Sequence, residues 1–205
     1  MLPDEERLRN IYKKYIDVIC PYVMQYELLS NTFPIEIFNE IRAVFSHLSK
    51  YYLSGDVSIK GKNLQKAEGH IKRSILDCYK YICMAYEDRY AGFERMYKRV
   101  DLSLVDNGEF LPTLLETRRN AVALMKRARK SDFLIGSDEE IKQNEAYEKY
   151  EEAFKAYSAV NDFIANSYKK IENVRKKALF KGYLAISGYV IGVIGTALTI
   201  ISFVL

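Results

Sequence analysis

The stretch GYLAISGYVIGVIGTALTIISFVL, residues 182–205, contains no charged side chain. It narrows what this chain can fold into more than any other feature. At a rise of ~1.5 Å per residue the run makes a helix of ~36 Å, enough to cross a ~30 Å hydrocarbon layer with some tilt. A core helix of this length, apolar on every side, is a rare alternative. The sequence therefore predicts an all-α protein: a helical bundle over 1–180 and one transmembrane helix over 181–205. On the entry side of that helix stand Lys169, Lys170, Arg175, Lys176, Lys177 and Lys181. The positive-inside bias keeps such a flank, and the body before it, in the cytoplasm. The expectation is a single pass through the inner (cytoplasmic) membrane, with the basic flank also suited to anionic headgroups.

The remaining chain reads as long helices. Only 10 glycines and 4 prolines punctuate 205 residues, and tryptophan is absent. Hydrophobic residues at 49% supply a core, and a net charge of +4 is too small to argue for nucleic acid. The opening MLPDEERLRN is acidic and polar, unlike a secretory signal. Cys20, Cys78 and Cys83 form neither an even disulfide set nor a zinc-type spacing, so reduced thiols are expected, with no metal and no cofactor.

A first helix is expected over about 3–29, opened by Asp4, Glu5 and Glu6 and kinked or divided at Pro21. A second covers about 34–52, with Ile37, Ile41, Val44, Phe45 and Leu48 as its buried stripe. SGDVSIKGKN reads as a loop, followed by a very long helix from about 63 towards 105 that Asp106, Asn107 and Gly108 break. Another helix covers about 110–129. Ser137 and Glu140 form a capping box for the last one. Along it Tyr150, Phe154, Tyr157, Val160, Ile164, Tyr168, Ile171 and Ala178 keep a spacing of three and four, the pattern of a bundle spine or a coiled coil.

Most catalytic arrangements are missing. Gly61-Lys62 lacks the upstream glycine of a phosphate loop, and there is no G-x-S-x-G or H-E-x-x-H. With two histidines, His47 and His70, any histidine chemistry must use one or both. Glu36, Glu40 and His47 share one face of the second helix, and Lys66, His70, Arg73 and Asp77 share one face of the third. Antiparallel packing of the two would join these stripes with Arg42 into one polar cluster. In a purely structural cluster, Glu40 or Asp77 pairs with Arg42 or Arg73 and the imidazoles orient them.

The segment EIRAVFSHLSKYY…NLQKAEGHIKRSILDCYKY resembles the small prokaryotic helical domains of the HEPN class, and Arg42-x4-His47 matches the arginine–histidine spacing of its nuclease members. The resemblance implies a dimer that cuts RNA without metal, Arg42 steadying phosphate charge and His47 transferring protons. Active members usually carry a polar residue after the arginine, where this chain has Ala43.

In the apolar run Gly188 and Gly192 form a G-x-x-x-G pair, continued by Gly195, Thr196 and Thr199, a side suited to close helix packing. A membrane-anchored HEPN-like body is similar in architecture to the membrane accessory proteins of some CRISPR systems. That similarity implies homo-oligomers, a pore, and action in antiviral defence beside a protein partner. Three functions are thus expected in turn: a defence effector that oligomerises and perturbs the inner membrane; a membrane-tethered ribonuclease, the one reading that needs RNA; and a tail-anchored scaffold that recruits a partner.

Overall fold

The computed structural model describes residues 4–133 and 140–204, with side chains at all of these except 132–145, 182–186, 190 and 192–204. Every regular element among them is a helix and none is a strand, so the protein is all-α. The chain divides into two compact units. Met1–Gly92 with Thr117–Asn161 form the first, and Phe93–Glu116 with Asp162–Leu205 the second.

The first unit starts with α1 (Asp4–Lys14), whose acidic first turn complements the helix dipole. α1 does not reach Pro21 as a regular helix. A π-helical turn, Tyr15–Ile19, comes first, and the Cys20 amide donates back to the Tyr15 carbonyl. Proline has no N–H and its ring crowds the carbonyl four residues earlier, and one widened turn absorbs both effects upstream. The division expected at Pro21 is therefore displaced, and Pro21 sits in the first turn of α2 (Cys20–Ser30). Asn31, in the left-handed region at φ 54°, ends α2 with its amide on the Glu27 carbonyl.

α3 (Ile35–Leu53) buries Ile37, Val44 and Leu48. Phe45, assigned to that stripe from sequence, is instead 63% exposed. At 100° per residue the face set by 37, 44 and 48 passes beside position 45. The next loop is much shorter than SGDVSIKGKN suggested. Asp56 Oδ1 accepts the amides of Ser58 (2.7 Å) and Ile59 (3.2 Å), so α4 (Val57–Tyr97) starts in the middle of it. The bidentate pair from Arg7 Nε (2.9 Å) and Nη2 (2.7 Å) to Glu68 ties α1 to α4.

The core of this unit lies along α4, where Leu64, Ala67, Ile71, Ile75, Cys78 and Ile82 are buried at the three-and-four spacing read from sequence. Two further helices, α5 (Phe110–Phe133) and α6 (Glu140–Val204), contribute to both units. α6 buries Ala146, Tyr150, Ala153, Tyr157 and Val160 in the first. In this stretch the repeated spacing serves as a bundle spine. Ser137 of the expected capping box lies outside the described residues.

In the second unit α4 ends at Tyr97, short of 105. Asp101 Oδ1 accepts from the Ser103 amide (3.1 Å) and hydroxyl (2.6 Å), opening a 3-10 segment, Leu102–Gly108. Asp106, Asn107 and Gly108 then turn the chain with φ of 51°, 55° and 98°. Phe110 stacks on Phe163 at 5.2 Å, and Val105, Leu114 and Ile171 close the core around them. The buried stripe of α6 continues here through Ser167 and Ile171, while Tyr168 and Ala178, both assigned to it from sequence, are exposed.

The α6 backbone stays helical to Val204. Among the described residues no helix is long and apolar enough to cross a membrane. Gly188 is exposed, and a Cβ built there meets nothing within 4 Å. Gly192, Gly195, Thr196 and Thr199 lie outside the described side chains.

Candidate functional site

The two histidines meet in the first unit. α3 and α4 run antiparallel there: residue 47 lies opposite 63 and 70, residue 40 opposite 70 and 73, and Glu36 bonds Tyr81. This order follows from the short connection at 54–56, which leaves the chain no room except to double back. The rings of His47 and His70 stack with centroids 5.2 Å apart and planes 21° from parallel. Both side chains and Glu40 are half-buried, while Arg73 is half-exposed.

Hydrogen bonds determine which ring nitrogens are occupied. Asn63 Nδ2 donates to the Ile59 carbonyl, which turns Oδ1 towards His47 Nδ1 at 2.9 Å. An amide oxygen only accepts, so His47 carries its proton on Nδ1 and, when neutral, holds a lone pair on Nε2. On the other ring, His70 Nδ1 lies 2.8 Å from Glu40 Oε2 and 2.7 Å from Arg73 Nη2. One nitrogen cannot both donate to the first and accept from the second. The carboxylate bond is charge-assisted and wins, so Nδ1–H donates to Glu40. Arg73 Nε donates to the same Oε2 at 3.0 Å. Glu40 is thus the hub, its charge balanced by Arg73, and His70, when neutral, also presents a lone pair on Nε2.

The cluster is smaller than the sequence suggested. Arg42 is exposed and outside it. Five residues along an α-helix turn about 140°, so Arg42 and His47 leave α3 on different sides. Glu36 is exposed and joined to the Tyr81 hydroxyl, a bond that holds its carboxyl below the usual range, helped by backbone bonding at its own position. Asp77 pairs with Lys80 at 3.6 Å, one turn along the same helix. Packing therefore assembles His47, His70, Glu40 and Arg73 and leaves Arg42, Glu36 and Asp77 elsewhere. Among the described residues no group of three or more histidine, cysteine or carboxylate side chains is placed to hold a metal ion.

Two features of this unit were not visible in sequence. One is Asn63, which sets the His47 tautomer from sixteen positions away; an asparagine early in a helix carries no mark of that role. The other joins α4, α5 and α6. Glu87 accepts from Arg118 Nη2 (3.2 Å) and the Tyr157 hydroxyl (3.0 Å), and Arg118 lies 4.2 Å over the Tyr90 ring. Burial, then the Glu87 charge, push the Tyr157 hydroxyl pKa up.

The basic residues of α6 divide within the second unit. Lys170 Nζ is 2.7 Å from Asp106, and Arg175 Nη1 donates to Glu172 Oε1 at 3.1 Å. Glu172 also accepts from the Tyr97 hydroxyl at 2.5 Å. The Tyr97 bond, then the Arg175 bond, hold the Glu172 carboxyl below its ordinary range. Burial, and after it the Glu172 bond, push Tyr97 up to about 12. Lys169, Lys176, Lys177 and Lys181 are exposed. No family model, no curated protein and no solved structure matches this chain.

Proposed function

We propose that this protein is a helical effector anchored in the cytoplasmic membrane by residues 181–205, which self-associates there and perturbs the membrane in prokaryotic antiviral defence, beside a protein partner. The observation that carries this reading is α6. It is one helix from Glu140 to Val204, buried along a stripe as far as Ile171, exposed at every position from Lys176 to Lys181, and continuous into the uncharged run. A helix that leaves its core at a lysine collar and then has no charge for 24 residues fits a bilayer better than water. The test is membrane potential after induced expression, in resting and in phage-infected cells. Depolarisation in either supports the proposal, and an unchanged potential in both overturns it.

A second reading, a membrane-tethered HEPN-type ribonuclease, is favoured by the unprotonated Nε2 of neutral His47, which the Asn63 bond leaves as the acceptor. Because Arg42 lies about 140° round α3 from His47, a site using both draws them from two copies. Arg42→Ala and His47→Ala that fold normally and abolish RNA cleavage support it. Cleavage that survives in both rejects it.

A further inference from the structure

We propose that the turn between α4 and the 3-10 segment, with Lys98, Arg99 and Leu104, is a docking tip that settles on an anionic lipid surface. This rests on the membrane reading above and extends it to residues far in sequence from the apolar run.

Contacts within the second unit place the turn. Phe163, Lys170 and the pair Glu172 and Arg175 meet Phe110, Asp106 and Tyr97 respectively. Moving along α6 towards its carboxyl end, the partners thus pass from the start of α5 to the end of α4. The turn that follows Tyr97 lies at the end of this unit facing residues 182–205. From the level of Glu172 to Gly182 is ten residues, ~15 Å along the axis. Headgroups occupy ~5–7 Å of that, leaving the turn within about a Debye length (~8–10 Å) of them. An ordinary helix tilt of ~20° brings one side closer still.

The charge at this end has one sign to spare. Asp106 is held by Lys170 and Glu172 by Arg175 and Tyr97, while Asp101 accepts from Ser103 and keeps its charge, one against the four of Lys98, Arg99, Lys176 and Lys177. Glu94 and Glu109 are exposed but lie a turn or more further back. Lys98 and Arg99 are exposed, as are Lys176 and Lys177 on the part of α6 beyond Ile171, and Leu104 is 65% exposed. This exposed cationic end, which also carries Leu104, complements anionic headgroups. It has no role in packing the unit, whose core is already closed by Val105, Phe110 and Ile171.

The test uses the full chain with Leu104→Cys, reconstituted into phosphatidylcholine vesicles with and without added phosphatidylglycerol. Integration is scored by resistance to alkaline carbonate, and the maleimide reaction rate at position 104 is then read, the parent chain serving as blank. Each basic side chain near an anionic surface is worth about fivefold, so Lys98 and Arg99 together predict slowing of about 25-fold in anionic vesicles. The slowing should vanish in about 0.5 M salt and in Lys98→Glu with Arg99→Glu, which should still integrate. Equal rates in the two vesicle types, in chain that has integrated, overturn the docking tip and leave the membrane reading standing. Failure to integrate in either overturns both.

Discussion

Between α3 and α4, Glu40 is met by His70 and Arg73, and the neighbouring His47 is met by Asn63 and the His70 ring. Past Ile171 on α6, Lys176, Lys177 and Lys181 are exposed on a helix that has left its core. Both regions are charged stripes at helical spacing, and sequence alone treats them alike. They differ in where the compensating groups come from. The α3–α4 seam is closed by the chain itself, so its polar atoms act on stability first. The α6 flank is closed in part, through Lys170 and Arg175, while Lys176, Lys177 and Lys181 are exposed and Lys176 acts on Glu172 only as a weaker, more distant charge.

The largest effect expected concerns access to the helix that carries the seam. Burial pushes Cys78 and Cys83, both on α4, up to about 12. Buried thiols of that kind wait for unfolding before they react. A thiol reagent on the native protein should modify Cys20 alone, with the other two slower by several orders of magnitude. Three thiols reacting together would show the packing around the seam to be open.

Next comes the hub. Glu40→Ala leaves His70 and Arg73 without their shared acceptor and should cost about 2 kcal/mol in urea unfolding, since both partners are only partly exposed. Glu40→Gln keeps an acceptor and should recover part of that loss. A loss below about 0.5 kcal/mol would make the seam no more than a surface pair and erase its contrast with α6.

A smaller effect follows the pH. Glu172 has a lowered carboxyl pKa when folded, so its contribution is full above the unfolded value of ~4.3 and is lost as pH falls through the lowered one. Tyr97 is raised to about 12 when folded, so its contribution is full below ~10 and is lost as pH rises towards 12. Glu172→Gln should flatten the acid limb of stability against pH relative to the parent, and Tyr97→Phe the alkaline limb. Parallel curves for parent and variants would show that this clamp on α6 does not hold in solution.

The smallest effect is the most pointed. Lys176→Ser with Lys177→Ser should change unfolding stability by less than about 0.5 kcal/mol, because both are exposed and Lys176 is the smallest of the influences on Glu172. The same double change should weaken retention on anionic vesicles. Loss of stability instead would move these lysines into the same class as Lys170 and Arg175.

Much of the architecture was legible because it is local. The spacing of Leu64, Ala67, Ile71 and Ile75 is a property of one helix, and Asp106, Asn107 and Gly108 break the chain wherever it goes. The cap at Asp56 was missed: the glycines and serines around it made SGDVSIKGKN read as a loop, and the helix start at Val57 went unseen. The candidate site was half legible. Spacing put His47 with Glu40 and His70 with Arg73, and it put Arg42 in their company although the helix turns it away.

By itself, then, the sequence determined an all-helical chain, the period of the α4 and α6 stripes, and a terminal run with no charge. Each of these depends on residues within a few turns of one another. Only the tertiary structure decided that Asn63 sets the His47 tautomer, that Glu40 joins His70 and Arg73, and that Lys170 and Arg175 form close ion pairs while Lys176 is exposed. A carboxylate or an amide reaches only a few ångströms, and most of these partners stand far apart in sequence. The packing of one helix on another therefore chooses among chemically equal candidates.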